Sequence, residues 1–378
     1  MALLDDHEVV ERIHEFIDTG ETFVGEMSWR EPVANYLERD RFDRELALMR
    51  RSPVVVCPSA ALDEPGSYLA RDVAGVPVLA IRGDDGAVRV LRNACRHRGV
   101  QVAEGTGCRH TFVCRYHGWS YGKDGELRHV PHEHGFPGLD KEERGLVPVS
   151  SVEAGGLVFA TLDGDAPAAP DLPIAELVPG DHRVVDFQDV VLEANWKIFM
   201  ESFLEGYHIR STHANTFYPI QYDNLNWIEF AGSSTRIAFP YRSIERLRDE
   251  PLRPGAIGYY LTYVYHLFPN VIVATTPGVV NTIVLEPLSP STTRMASWFT
   301  RVPGPKPLTS KKDGKVKGPD YKAALAEDQA MVTSGQRGLA TGANEFLEFG
   351  LFESAIVRFH ERLASALEEQ PVELSGAP

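Results

Sequence analysis

The 378-residue chain has few cysteines, few basic residues and no long apolar run. With only four cysteines, a reducing compartment is the simpler expectation, and we predict a cytoplasmic location. The first residues lack the basic start and apolar stretch of a signal peptide, and no apolar run reaches membrane-spanning length. The formal net charge of −15 argues against nonspecific binding to nucleic acid or to anionic membranes.

Two of the four cysteines belong to a paired motif, CRH at residues 95–97 and CRYH at residues 114–117. Two thiolates on one iron and two imidazoles on the other are the ligands of a Rieske [2Fe–2S] centre, which carries single electrons. A tetrahedral zinc site is the alternative. Zinc fingers usually pair like with like, whereas each arm here offers one thiolate and one imidazole. The predicted cluster ligands are Cys95, His97, Cys114 and His117.

The order of helical and strand patterns predicts an α+β fold with three parts. Residues 1–45 show a helical period and are expected to pack on the catalytic domain. Residues 46–165 form a small all-β domain, with both cysteine arms in loops that follow strands. A Pro/Ala/Asp-rich stretch at 163–173 is the expected linker. The predicted strands of the β domain are 53–57, 76–82, 87–92, 111–115 and 157–161.

Residues 166–378 mix both patterns and are predicted to form the catalytic domain. Residues 228–298 are strand-rich, as a curved antiparallel sheet would be. Helical patterns cover 195–208, 321–339 and 344–369. Residues 309–320 read as a basic, solvated loop.

The segment EGYHIRSTH, residues 205–213, gives the second chemical signal. Its two histidines are five residues apart, which is about 500° of rotation on an α-helix, so they converge only where the helix ends or distorts. Two imidazoles and one carboxylate form the facial triad of non-haem Fe(II) oxygenases. The sequence therefore predicts that His208 and His213 are metal ligands.

The third ligand has candidates in two places. Glu201 and Glu205 share a helical face with His208, a spacing that suits a hydrogen bond from Glu205 to the back of the His208 ring. Farther along, Glu327 and Asp328 lie on the predicted helix 321–339. Asp328 falls on the apolar stripe of that helix and needs a partner there, whereas Glu327 points away. We predict Asp328 as the ligand, with Glu327 as the alternative.

With these two sets of candidate ligands, the chain resembles the oxygenase component (α subunit) of the Rieske non-haem iron ring-hydroxylating oxygenase family. The resemblance covers nearly the whole length. It is carried by CRHRGVQVAEG (95–105), CRYHGWSYGKDGEL (114–127), NWKIFMESFLEGYHIRSTH (195–213), YHLFPN (265–270) and ALAEDQAMVTSGQRGL (324–339).

The resemblance implies a Rieske domain joined to a helix-grip catalytic domain with a curved antiparallel sheet and long C-terminal helices. It implies mononuclear iron held by His208, His213 and Asp328, and a head-to-tail subunit ring, commonly a homotrimer. In such a ring the electron passes between subunits, from His117 through Glu205 to His208. Asn195 matches a family asparagine near the iron and is expected to be catalytic.

The implied activity is that of a terminal oxygenase, which uses O₂ and electrons from an NAD(P)H-dependent reductase, alone or with a ferredoxin. The expected reaction is hydroxylation or demethylation of an aromatic or other hydrophobic small molecule. The alternative is a quaternary ammonium monooxygenase, in which glutamate at the bridging position is familiar and an aromatic cage binds the cation. A Rieske electron-transfer protein without oxygen chemistry is disfavoured, because over half of the chain lies beyond the cluster domain. The candidate pocket aromatics are Phe199, Phe203, Phe217, Tyr218, Tyr263 and Tyr265.

Overall fold

The structure is a computed structural model that describes residues 3–164, 172–303 and 321–369. The helices are α1 (Asp6–Thr19), α2 (Ala34–Leu37), α3 (Arg39–Arg51), α4 (Trp196–Ser202), α5 (Ile209–Thr212), α6 (Tyr321–Leu339) and α7 (Ser354–Glu368). The strands are β1 (Trp29–Pro32), β2 (Val54–Pro58), β3 (Ser67–Val73), β4 (Val76–Arg82), β5 (Val88–Arg92), β6 (Gly105–Cys108), β7 (Thr111–Val113), β8 (Ser120–Gly122), β9 (Leu127–His129), β10 (Pro148–Ala154), β11 (Leu157–Thr161), β12 (Arg183–Leu192), β13 (Trp227–Ala231), β14 (Ser234–Pro240), β15 (Leu261–Leu267), β16 (Val271–Thr276), β17 (Val279–Ser289), β18 (Thr292–Arg301) and β19 (Phe346–Phe349).

The all-β domain contains two antiparallel sheets, ordered β2-β11-β10-β5-β4-β3-β6 and β7-β8-β9. The strand β2 is buried along its whole length, as its unbroken apolar sequence indicates. Its Cys57 is core, and burial raises the pKa of this thiol to about 12, so the thiol stays protonated at neutral pH. The two cysteine arms lie in the loops after β5 and β7, as predicted.

The catalytic domain is built on one seven-stranded antiparallel sheet, ordered β12-β18-β17-β16-β15-β14-β13. The predicted strand-rich segment corresponds to β13 through β18, and β12 adds an edge strand that the sequence patterns did not identify. With α6 and α7 following the sheet, the predicted α+β architecture of a β domain and a curved-sheet domain is confirmed.

The N-terminal segment packs on the catalytic domain through its first helix. Asp5 and Glu8 form a capping box at the start of α1, and Val9, Val10 and Ile13 are buried. The Leu4 amide donates to Glu229 on β13 at 2.7 Å. Helix α3 runs through the predicted boundary at residue 45, so this segment continues to residue 51.

Two predicted helices begin or end elsewhere. The helix predicted over 195–208 ends at Ser202, and the one predicted over 344–369 begins at Ser354. In the second case residues 346–349 form β19 instead, because they pair with β1 from the other end of the chain. The basic loop 309–320 and most of the expected linker lie outside the described residues. Among the helices that the structure describes, none is both long and apolar enough to cross a bilayer.

Candidate metal centres

The two cysteine arms fold into matching turns. The Cys95 amide donates to Val100 O and the Cys114 amide to Trp119 O, at 2.9 and 2.8 Å. Four residues after each cysteine is a glycine with φ near +77°, a conformation that side-chain-bearing residues rarely adopt. Both thiols are buried. The C-x-x-x-G spacing therefore places each thiol and the imidazole that follows it on one compact loop.

The histidines of the arms meet at the tip of the β domain. The rings of His97 and His117 are 4.6 Å apart, and His97 stacks on Trp119 at 4.9 Å. Nδ1 of His97 is buried and has no hydrogen-bond partner among the described residues. Burial, and then the neighbouring His117, lower the pKa of His97, which keeps its ring in the neutral form that binds metals.

This donor set fits a Rieske cluster. The two buried thiols interact with each other, and the two imidazole rings lie 4.6 Å apart. One imidazole nitrogen lacks the partner that a buried polar atom requires, a deficit of about 1–3 kcal/mol. The Tyr121 hydroxyl lies 3.2 Å from Cys95 Sγ and accepts from the Arg96 amide at 2.9 Å. A hydroxyl at this position can donate to a ligating sulfur.

The second centre joins two histidines and one carboxylate. His208 Nε2 lies 3.2 Å from His213 Nε2, and Asp328 Oδ1 lies 2.9 Å from His213 Nε2 and 3.7 Å from His208 Nε2. Among the described residues, this is the group of three that could hold a metal ion, with its ligand atoms within 4.8 Å of one another. The donors match the two-histidine, one-carboxylate set of non-haem iron.

The convergence of the two histidines depends on a break after α4. His208 immediately precedes the single-turn helix α5 and His213 immediately follows it, so both rings lie on one side of α5. Helix α4 has already ended at Ser202. The shared helical face that predicted the Glu205–His208 contact does not exist, yet the contact does.

Glu205 makes that contact from a turn. Its Oε1 pairs with His208 Nδ1 in a short contact, and its Oε2 accepts from the Tyr207 amide and, at 3.1 Å, from the His208 amide. Burial is the largest influence on His208 and lowers its pKa. The hydrogen bond to Glu205 and the charges of Glu205 and Asp328 outweigh burial, so the net shift of the His208 pKa is upward.

Glu327 supports the other ring, a role that the sequence analysis missed. Its Oε2 lies 2.8 Å from His213 Nδ1 and accepts from the Thr216 hydroxyl at 2.7 Å. The two adjacent carboxylates thus contact different nitrogens of the His213 ring, Asp328 at Nε2 and Glu327 at Nδ1. The sequence feature that pointed to this arrangement was the pair of adjacent acids at 327 and 328, whose side chains leave a helix about 100° apart.

Asn195 lies at the start of α4 and is buried. Its side-chain oxygen accepts from the Lys197 amide at 3.0 Å, and its amide nitrogen donates to Tyr36 O and Pro290 O. These contacts support a role in starting the helix. The catalytic role expected for Asn195 remains a prediction that these contacts do not support.

Three of the six candidate pocket aromatics bear on the site, one beside the predicted ligand His213 and two beside Arg236. Phe217 lies edge-on to the His213 ring at 5.0 Å, next to the metal ligands. Tyr263 instead carries the Arg236 guanidinium over its face at 4.8 Å and donates its hydroxyl to Asp6 of α1 at 2.9 Å. Tyr265 is also buried beside Arg236. Both tyrosines are therefore buried beside a guanidinium.

Comparison with known proteins agrees with this arrangement. The family model of the ring hydroxylating alpha subunit (catalytic domain) matches residues 175–369, and that of the Rieske [2Fe-2S] domain matches residues 52–146. The carnitine monooxygenase oxygenase subunit of Escherichia coli (strain K12) is 26% identical over 366 residues, which cover 90% of this chain and 95% of that protein. The large oxygenase component of the 2,4-dinitrotoluene dioxygenase system of Burkholderia sp. (strain RASC) is 33% identical over 195 residues, 48% of this chain and 43% of that protein.

The fold is also that of a solved relative. The structure of a quaternary ammonium Rieske monooxygenase, described in connection with carnitine oxidation and inter-subunit electron transfer, has a TM-score of 0.72 at 22% identity and covers 89% of this chain and 95% of that chain. The first family model alone spans more than half of the sequence. The chain belongs to the ring-hydroxylating α subunits of the Rieske oxygenases, with a [2Fe–2S] domain and a catalytic domain that binds mononuclear iron.

Proposed function

We propose that this chain is the terminal oxygenase component of a multicomponent system, with Fe(II) held by His208, His213 and Asp328. The observation that carries the proposal is the convergence of these three ligands, with a carboxylate on Nδ1 of each imidazole. When bound, the iron supplies the O₂ chemistry and the cluster supplies electrons. The cluster ligands in this proposal are Cys95, His97, Cys114 and His117.

The protein's own part is to fix the geometry of the ligands. Glu205 and Glu327 each accept the Nδ1 hydrogen of one ring, so both Nε2 atoms present lone pairs to the same point. Phe217 covers one side of His213 with an apolar ring edge. An apolar wall beside the ligands suits a hydrophobic substrate and limits access of water.

Electrons are proposed to pass between subunits of a homotrimer, from His117 of one subunit through Glu205 of the next to His208. Both ends of this route reach the surface: His117 is exposed, and Tyr207 beside Glu205 is 59% exposed. Large apolar side chains are exposed at each end. Tyr116 stacks on His117, and at the other end Tyr207 lies two residues from Glu205 and packs on Phe352, which follows the exposed Leu351.

Those two surfaces favour self-association, because exposed apolar groups gathered at one place mark protein interaction sites. The 3₁₀ turn at 351–353 supports the second surface, since Leu351 O accepts from the Gly25 amide and Phe352 packs on Tyr207 at 4.6 Å. The relative described with inter-subunit electron transfer shares this fold. An NAD(P)H-dependent reductase, with or without a ferredoxin, is the proposed electron source.

For the substrate, we favour an aromatic or other hydrophobic small molecule, which would be hydroxylated or demethylated. Arg236 lies over the Tyr263 ring, and Tyr265 is buried beside the same guanidinium, so a second cation at these two rings would be repelled by a positive charge already there. The second candidate is a quaternary ammonium compound. It is favoured by glutamate at position 205 and by the near full-length match to a carnitine monooxygenase subunit.

The test is O₂ uptake by iron-replete protein with a surrogate reductase and NADH, with products identified by mass spectrometry. One pool of aromatic compounds is compared with one pool of trimethylammonium compounds. Uptake coupled to an oxygenated or demethylated aromatic supports the first candidate, and uptake with release of an amine supports the second. A protein that has a reducible cluster but binds no mononuclear iron would contradict the oxygenase function itself.

A further inference from the structure

The large sheet of the catalytic domain has one face that meets the segment carrying the two histidines. A Cβ atom on Gly206 would lie 3.3 Å from the ring of Phe239 on β14. Thr262 is opposite Phe239 in the register, and His266 is four residues farther along β15, so all three share this face. Helix α7 covers it as well, because Phe359 packs on His266 at 5.5 Å. This inner face is the part of the sheet that a substrate near the proposed iron can touch.

The fixed charges of the neighbouring strands lie on the other face. Strands β13–β17 contain three such side chains, Glu229, Arg236 and Glu286. Arg236 is three residues from Phe239 and so points away from the inner face, as does Glu229 opposite it. Glu286 accepts from the Ala74 amide of the β domain at 2.9 Å. These five fully described strands therefore direct no fixed charge to the inner face.

His266 is the titratable side chain that these strands place on the inner face. It is 2% exposed, and burial lowers its pKa to about 4, so the ring is neutral at physiological pH. Its Nε2 lies 3.2 Å from Pro269 O and donates to it. An ionic substrate would meet no opposite charge from β13–β17, and an uncompensated charge in a largely apolar site is costly. The inner face therefore favours a neutral substrate.

Asn281 of β17 also belongs to the inner face. The register places Ile272 opposite His266 and Ile283 opposite Ile272, and Asn281 is two residues from Ile283. The Ser297 hydroxyl of β18 donates to Asn281 Oδ1 at 2.7 Å.

This hydrogen bond leaves a donor available. Ser297 is fully buried, so its contact fixes the orientation of the Asn281 amide and occupies the amide oxygen. The side-chain nitrogen of Asn281 makes no hydrogen bond within the part of the chain that the structure describes. An amide nitrogen offers two N–H donors.

The inner face opens beside this amide. Along β17, the inner residues Leu285 and Ile283 are 0% and 1% exposed, whereas Asn281 and Val279 are half-buried. Ala274, opposite Asn281 on β16, is half-buried too. Asn281 thus lies between a closed apolar region and an open end.

We propose, on the basis of the proposed oxygenase function, that Asn281 is a specificity-determining residue: its amide nitrogen donates to an oxygen acceptor of a neutral, otherwise hydrophobic substrate. The Ser297 hydroxyl orients the donor, and the apolar part of the substrate lies on the closed side of the inner face. A site built to donate to an oxygen disfavours the analogue without it, because the desolvated donor is then left unpaired. The substrate class narrows to neutral molecules with a carbonyl, ether or hydroxyl oxygen.

The test uses three probes with one ring system, indane, 1-indanone and indane-1-carboxylate. Dissociation constants for the iron-replete enzyme are measured by isothermal titration calorimetry without turnover. The position of oxygenation is then determined from the products formed with the surrogate reductase, NADH and O₂.

Two variants remove the donor in different ways. Asn281→Leu replaces the amide by an apolar group of similar size, whereas Asn281→Asp keeps an acceptor for the Ser297 hydroxyl. The matched control is Thr282→Val, at the next residue of β17. The Thr282 side chain points to the other face, and its buried hydroxyl has no hydrogen-bond partner among the described residues.

We expect wild type to bind 1-indanone about 3- to 10-fold more tightly than indane, the scale of one hydrogen bond, and to bind the carboxylate least tightly. Asn281→Leu should bind the ketone and the hydrocarbon equally and oxygenate the ketone at several positions. Asn281→Asp should prefer the hydrocarbon, because two acceptors would face each other. Thr282→Val should keep the wild-type order.

Three results overturn the inference: equal binding of ketone and hydrocarbon by wild type, tightest binding of the carboxylate, or the wild-type order in Asn281→Leu. The oxygenase function still stands if the enzyme couples O₂ uptake to oxygenation of either neutral probe. If Asn281→Leu does not fold, the order of affinities in Asn281→Asp decides in the same way. Uptake only with trimethylammonium compounds overturns the inference and favours the second candidate substrate. No uptake with any compound of either pool overturns the inference and the proposed function together.

Discussion

The chain contains two pairs of histidines at candidate metal centres, and the structure supports them in opposite ways. At the iron site, Nδ1 of each imidazole faces a carboxylate, Glu205 behind His208 and Glu327 behind His213. At the cluster arms, His97 Nδ1 is an orphaned buried atom and His117 is exposed. The proposed iron ligands are therefore oriented by carboxylates, whereas the proposed cluster ligands are held by glycine turns and ring stacking.

The largest expected effect is the loss of mononuclear iron with the cluster retained. Asp328→Ala removes the carboxylate of the two-histidine, one-carboxylate site. It should abolish binding of the mononuclear iron while leaving the cluster intact. Iron and sulfide analysis together with cluster absorbance measures both. Retained mononuclear iron in this variant would move the third ligand elsewhere.

The second prediction separates the role of Glu205 in metal binding from its proposed role in electron transfer. Glu205→Gln keeps the size of the side chain but removes its charge, and on the proposed route it should slow reoxidation of the reduced cluster by about 10- to 100-fold with both metals bound. Stopped-flow absorbance with O₂ and substrate follows the cluster. Wild-type reoxidation would remove Glu205 from the route.

Glu327→Gln is the matched variant on the other ring. It removes the carboxylate behind His213 and should weaken iron binding by about tenfold, because the outer hydrogen bond orients the ligand. Cluster reoxidation in the iron-loaded variant should equal wild type, since the proposed route does not pass through Glu327. Equal slowing in both variants would mean that the two carboxylates have the same role.

Acid should distinguish the two centres, because the pKa of His208 at one and the pKa of His97 at the other are shifted in opposite directions. The pKa of His208 is raised, so this ring must lose a proton to bind metal as the pH falls below its pKa. Iron affinity should then fall about tenfold per pH unit, one proton per metal bound. The pKa of His97 is lowered, so protons compete less at the cluster. Metal titration of the iron-free protein at several pH values tests this, and a flat profile below neutrality would contradict it.

The smallest effect concerns the cluster. Tyr121→Phe removes the hydroxyl 3.2 Å from Cys95 Sγ and should lower the cluster potential, because hydrogen bonds to the sulfurs stabilise the reduced state. Iron binding at the triad should be unchanged. Protein-film voltammetry measures the potential, and an unchanged value would show that Tyr121 does not donate to the cluster.

The parts of the fold that the sequence predicted depend on local pattern. Alternating strands, the glycine-bearing cysteine arms and the His208–His213 pair are all defined within a few residues. The end of α4 was not predicted, because residues 195–208 keep a helical pattern. In the structure Glu201 contacts Tyr36 and His360 from distant parts of the chain, and Glu205 accepts from the Tyr207 and His208 amides beyond the end of the helix. The contact of Glu327 with His213 joins residues far apart in the chain. The adjacent acids at 327 and 328 marked both residues as candidates, but no local pattern shows which nitrogen of the His213 ring each one faces.

The pairing of β1 with β19 has a consequence for how the chain assembles. The β domain closes on itself between residues 54 and 161, so during synthesis it can form before the rest of the chain exists. The N-terminal segment cannot, since its strand partner β19 and the His360 that contacts Tyr36 are made long after it. The apolar face of α3, which packs against α7, must therefore wait for that helix, and any truncation before residue 346 would leave β1 and Tyr36 without these partners.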